Sequence, residues 1–136
     1  MGLRVVWDVP NIFEFMVKLH PDMRQLRDRI FGSGKDPSHD DKMAMGRMFE
    51  RALNEDRETH TDTVEAVLDD VCVEIKRNKC RGEKDVMNLS CLIDRNRESA
   101  FERAVFQAAA LFDDNYAFDY NGPWAPHNFV DITLEM

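Results

Sequence analysis

The sequence has no apolar run approaching the roughly 18 to 20 residues that a membrane-crossing helix requires. Its opening, MGLRVVWDVP, has neither the basic stretch nor the long apolar core of a secretory leader. Both absences lead us to expect a cytoplasmic protein. Cysteine is scarce: Cys72, Cys80 and Cys91 are odd in number and lack metal-type spacing. No disulfide framework is expected, and free thiols suit a reducing compartment. Positive charge is in deficit, with 18 Lys and Arg against 26 Asp and Glu and a formal net charge of −8. That balance disfavours phosphate backbones and anionic lipid surfaces, so neither nucleic acid nor membrane is an expected partner. There is no phosphate-cradling loop either, because Gly32-Ser33-Gly34-Lys35 is too short and follows a helical pattern instead of a strand.

A catalytic cluster is also missing from the pattern. His20, His39, His60 and His127 fall in expected loops or at helix ends, away from paired ligand spacing, which suits solvated or capping roles. Cys91 stands beside Ser90 with no base nearby in sequence, and its alternation with Leu89 and Ile93 reads as a core thiol. Asp69-Asp70 and Asp113-Asp114 read as solvated helix ends. Met16, Met23, Met45 and Met48 sit at core-facing helical spacing, which favours packing over an adaptable groove. We therefore expect no enzyme, no catalytic or metal-binding residues and no cofactor.

What remains is an ordinary globular composition, 43% hydrophobic and 32% charged over 136 residues, long enough for one domain (1–136) with its own core. Leu3 to Asp8 reads as a first strand. Ile12, Met16, Leu19, Met23, Leu26 and Ile30 then recur at helical spacing behind a capping Asn11, with Pro21 breaking the helix in two. Ser38 with Asp40 and Asp41 starts another helix, whose apolar face is Met45, Met48, Phe49, Ala52 and Leu53. The charged segment Glu55 to His60 reads as a solvated turn. A further short helix is expected from a capping box at Asp62 and Glu65. Alternation from Val71 to Lys76 and from Met87 to Ile93 predicts a hairpin around Gly82. Phe101, Ala104, Val105, Ala108, Leu111 and Phe112 mark the last helix, and Tyr116, Phe118 and Tyr120 the last strand.

Together these predict an α+β fold, a ferredoxin-like βαββαβ sandwich whose first crossover is enlarged to several helices. Right-handed crossovers would place the first and third strands at the centre of an antiparallel sheet with the helices on one face. Beyond the last strand, Asn121-Gly122-Pro123 stops the extended run. The segment to Phe129 then reads as a stiff Pro/aromatic C-terminal ribbon presenting Trp124, His127 and Phe129. Those rings either cap the domain's own core or form a contact surface, and both can hold at once, with Trp124 inward and His127 outward. As a contact it would be efficient, since an ordered ribbon loses little entropy on docking.

The residues FDYNGPWAPHNFVDI (Phe118 to Ile132), DVMNLSCLIDR (Asp85 to Arg95) with FERAV (Phe101 to Val105), and more loosely MGRMFERAL (Met45 to Leu53) resemble the gas vesicle GvpF/GvpL family. Ala125 stands where that family commonly has proline, and His127 where it commonly has tyrosine. The likeness spans most of the chain but resembles only the C-terminal domain of a typical member, so roles seated in an N-terminal domain do not carry over. The resemblance implies a non-enzymatic accessory protein of gas vesicle assembly, associated with the vesicle. It would bind the gas vesicle shell protein, other gas vesicle accessory proteins, or both during nucleation, with Trp124, His127 and Phe129 as candidate contacts. Self-association through an exposed strand edge is a further expected mode. The competing class is an unrelated ferredoxin-like enzyme or small-ligand domain with a pocket between sheet and helices.

Overall fold

A computed structural model describes residues 1–32 and 38–122. Four strands, β1 (Gly2–Trp7), β2 (Glu74–Asn78), β3 (Asp85–Leu92) and β4 (Tyr116–Asn121), form one sheet in the order β2-β3-β1-β4. Every neighbouring pair is antiparallel. The first and third strands are therefore central, as the pattern of the sequence predicts, and the α+β ferredoxin-like order is present. Among the described residues four helices accompany the sheet: α1 (Ile12–Leu19), α2 (Pro21–Phe31), α3 (His39–Leu68) and α4 (Glu98–Ala109), the last entered through a short 3₁₀ turn at Arg95–Arg97.

The chain divides into two compact units. One contains Met1–Asp8 and the chain from Thr59; the other is Val9–Glu58. In the sheet unit, alternation puts Leu3, Val5 and Trp7 on one face of β1, all buried. Register extends that face sideways: Leu3 lies between Leu89 and Tyr120, and Val5 between Met87 and Phe118. Val64 and Leu68 of α3 and Phe101, Ala104, Val105 and Ala108 of α4 supply further buried apolar side chains. On the other face the Asn78 amide donates to Ser90 Oγ at 2.8 Å and Arg4 lies opposite Asn88, beside the buried Val86.

Asp85 begins β3 and is buried, yet fully engaged. One carboxylate oxygen accepts from Arg4 Nε and Nη2 at 3.2 and 2.7 Å. The other accepts from the backbone N–H groups of Arg81 and Gly82 at 2.9 and 3.2 Å, while Asp85 N donates back to the Gly82 carbonyl. This carboxylate closes the β2–β3 turn and ties it to β1, at the point where the β1–β3 register shifts between Val5 and Val6. Burial pushes the Asp85 carboxyl up, but Arg4 and the two turn amides outweigh it and hold the group below the usual carboxylate range.

In the helical unit, Asn11 Oδ1 accepts from Glu14 N and caps α1. Pro21 separates α1 from α2, with His20 extended at φ −112° between them, so the two-piece helix is as expected. Ser38 Oγ and the Asp41 carboxylate cap the start of α3 reciprocally.

Three expectations are corrected. No turn interrupts Glu55 to His60; α3 runs through it as one helix of 30 residues. The segment has no glycine or proline, and a charged run can stay helical with its side chains in solvent. Asp62 and Glu65 consequently form no capping box. They grip Arg77 of β2 instead, with three contacts of 2.8 Å, a half-exposed arrangement worth at most about 1 kcal/mol per pair. Strand β2 begins at Glu74, later than Val71, because Val71 N and Cys72 N still donate to the Leu68 carbonyl at the helix end.

The Asp85 arrangement makes a testable statement about stability and pH. Because its folded pKa lies below the unfolded one, its stabilisation is complete above about pH 3.8 and is lost as pH falls through the lowered value. Asp85→Asn should reduce unfolding free energy at neutral pH by about 1–3 kcal/mol. It should also flatten the acid limb of the urea-midpoint profile, and identical acid limbs for the two proteins would contradict this account.

Candidate functional surface

Strand β4 lies at one edge of the sheet, and aromatic side chains gather along it. Near its start, the Tyr116 hydroxyl and His60 Nε2 share a hydrogen bond of 2.9 Å. The His60 ring stacks edge-on against Phe112 and Tyr116, with centroids 5.1 Å away in each case. Phe112 also meets Phe118 at 5.3 Å. His60 is thus an aromatic-packed residue within α3, which corrects the expectation of a loop or helix end. It lies inside the helix because α3 continues through the segment read as a turn.

Toward the end of β4, Tyr120 packs against Phe101 and Phe106 at 6.3 and 6.4 Å. The neighbouring Glu102 carboxylate raises the phenol above its usual range. Phe101 is buried, whereas Phe106 is 61% exposed. Leu111, expected on the buried face of α4, is 62% exposed because the helix has already ended at Ala109. Gly122 then adopts φ +116°, where a Cβ would come within 3.0 Å of Met1 Cα. Glycine is therefore needed where the chain leaves β4. Trp124, His127 and Phe129 lie outside the described residues.

The helical unit carries a second feature, a cavity of about 690 Å³ lined by Phe13, Phe31, Met45 and Phe49, with Arg27, Asp28 and Lys42 among its polar walls. Phe13 and Phe49 meet edge-to-face at 5.3 Å. The sequence reading placed Phe49 and Met45 on a helix face but passed over Phe13 and Phe31, which fall off the apolar stripe of α1 and α2. A large ring outside the stripe was the available signal. His20, also nearby in sequence, is engaged with Asp56 at 2.9 Å.

Among the described residues no group of three or more His, Cys, Asp and Glu could hold a metal ion. None of the described helices is long and apolar enough to cross a membrane. Cys91 is a buried core thiol, as expected.

The sheet order and its helical crossovers define the class as a ferredoxin-like α+β domain with an enlarged first crossover. Within that class, residues 1–131 match the family model described as gas vesicle synthesis protein GvpL/GvpF, and the chain belongs to this family. Gas vesicle protein F of Nostoc sp. is 25% identical over 133 residues, covering 98% of this chain and 54% of its relative. Gas vesicle protein F of Haloferax mediterranei is 33% identical over 67 residues, 49% of this chain and 32% of the relative. The crystal structure of GvpF from Anabaena sp. superposes with a TM-score of 0.82 at 25% identity, over 98% of this chain and 54% of that one. GvpF from Microcystis aeruginosa shares the fold, with a TM-score of 0.71 at 19% identity over 94% of this chain and 52% of that one. The chain thus spans about half the length of the relatives it matches end to end.

The two phenylalanines that flank Tyr120 should differ sharply in what they hold together. Phe101→Ala should cost about 3–5 kcal/mol in urea unfolding, whereas Phe106→Ser should change stability by less than about 1 kcal/mol. Comparable losses would show that Phe106 belongs to the core and is not a surface ring.

Proposed function

We propose that the chain is a non-enzymatic accessory protein of gas vesicle assembly. In this reading it binds the vesicle shell protein, other vesicle accessory proteins, or both during nucleation. Family membership supports the setting, since the relatives are gas vesicle proteins. The observation that carries the binding role is the aromatic surface at the end of β4, where exposed Phe106 adjoins half-buried Tyr120. Trp124, His127 and Phe129 follow directly in sequence and would extend that surface. The domain corresponds in this reading to the C-terminal part of larger family members, working in the cytoplasm and on the vesicle.

The physical logic is coverage. A shell subunit awaiting assembly exposes apolar surface, which aggregates unless another protein covers it. Rings presented on a sheet edge cover such surface with little loss of side-chain freedom, and the edge itself can pair with an extended segment. The same edge provides a route for self-association.

A second reading, a small-ligand or enzyme domain, draws on the 690 Å³ cavity, which falls in the size range of ligand sites. It lies within the helical unit, whereas that reading expected a pocket between sheet and helices. Native mass spectrometry of freshly purified protein separates the two, since retained small molecules would favour the ligand reading.

For the binding reading, the double variant Trp124→Ala, Phe129→Ala should keep its circular dichroism spectrum and lose most of its co-purifying shell or accessory protein. Unchanged yield with an unchanged fold would remove the proposal. Adding Phe106→Ser should deepen the loss.

A further inference from the structure

The cavity of the helical unit is walled by α1, α2 and α3, and all of its lining residues fall within Val9–Glu58. On α3, Lys42, Met45, Gly46 and Phe49 follow one another at steps that set them along one face of the helix. The lining is graded. Met45 is buried, Phe13 and Phe49 are half-buried, and Phe31 and Lys42 are exposed to solvent. Two features distinguish this space from a packing fault. The first is Gly46, which lies inside α3, beyond its first turn, where glycine is among the weakest helix formers. Neither a positive φ nor a close neighbour demands it, since an added Cβ would meet nothing within 4 Å. What glycine supplies there is room, and that room borders the cavity. The second feature is charge. Asp28 is paired with Arg27 at 3.4 Å, whereas no ion pair among the described residues engages Lys42. The rim therefore carries an uncompensated positive charge beside an apolar, mostly aromatic interior.

We propose that the cavity is a binding site for a small amphiphilic monoanion of the medium-chain carboxylate class, with its hydrocarbon tail among Phe13, Met45 and Phe49 and its carboxylate beside Lys42 at the rim. A volume of about 690 Å³ suits a small molecule. Phe13 and Phe49, edge to face at 5.3 Å, make a continuous aromatic wall, and the unbranched thioether of Met45 adapts to a flexible tail. Such a ligand buries its methylene groups against the rings while its head stays at the wet edge, where Lys42 meets it as a point charge. A neutral alcohol of the same length gains the first contribution and lacks the second. The inference takes up the cavity behind the ligand reading above but needs no chemistry there, and a protein that binds vesicle proteins can hold such a molecule as well.

The test titrates the purified full chain with decanoate and, separately, with decanol, by isothermal calorimetry at low and high salt. Decanoate should bind at one site and more tightly than decanol, and added salt should narrow the difference. Lys42→Gln should weaken decanoate binding roughly two- to fivefold, the size of one exposed charge pair, and leave decanol binding unchanged. Gly46→Leu should occupy the cavity and weaken both ligands by about tenfold or more, with an unchanged circular dichroism spectrum. If Gly46→Leu does not fold, Phe31→Glu takes its place, since a change at an exposed ring is tolerated and sets a negative charge at the rim; it should remove decanoate binding. No decanoate binding by the wild-type chain would overturn the proposal, as would binding that survives both Gly46→Leu and Phe31→Glu. Equal affinity for decanoate and decanol, with a neutral small molecule retained in native mass spectrometry, would overturn it too while leaving the ligand reading in place.

Discussion

The constraint on which the rest depends is the register between β1 and β3, and the Asp85 carboxylate guards it. Period-2 alternation means that a slip by one residue would send Leu3, Val5 and Trp7 to solvent and bring Arg4 into the core. The ladder already contains one irregularity, between Val5 and Val6, and a shift there leaves Asp85 opposite Val6. A buried carboxylate with a partner on β1 and two more in the adjoining turn is satisfied in one register only, because a slip would strand it among apolar side chains. Once β1 and β3 are fixed, β4 can add to one side and β2 to the other, and the positions of all the aromatic residues on β4 follow from that placement.

How much of this was legible depended on whether the information was local. Pro21, Asn11 and Ser38 announce helix boundaries through chemistry confined to a few residues, and each boundary is found where expected. One short apolar run and three alternating ones announced four strands, and the handedness of crossovers then left few ways to order them. Glu55 to His60 misled because apolar periodicity was the guide, and a helix polar on every side leaves no such trace. Asp62 and Glu65 have capping-box spacing, but spacing on a helix also makes two carboxylates face the same way. What they face is Arg77, and no local pattern reveals a partner on another element.

The candidate surface was partly legible for a related reason. Tyr116, Phe118 and Tyr120 declare themselves by alternation, yet nothing in that pattern separates buried Phe101 from exposed Phe106 on the neighbouring helix except their places relative to Ala104, Val105 and Ala108. Phe106 falls beside that stripe. Cys72 was assigned to the strand that follows α3, yet that strand begins only at Glu74, and Cys72 N still donates to the Leu68 carbonyl at the helix end. Side chains that fail to fit a local period are where the tertiary structure, and the candidate surfaces, carry information the pattern lacks.

Charge adds a last constraint on what the domain can hold. The helical unit carries nine Lys and Arg against ten Asp and Glu, whereas the sheet unit carries nine against sixteen. Nearly all of the net charge of −8 therefore belongs to the unit that presents β4 and its rings. An apolar contact set in an acidic surround discriminates between partners. Apolar surface flanked by basic groups is attracted over about a Debye length, roughly 8 Å at physiological salt, and an acidic partner is repelled over the same distance. The same repulsion acts between two copies of the sheet unit, so edge-to-edge pairing of identical chains has to overcome like charge as well as the entropy of association.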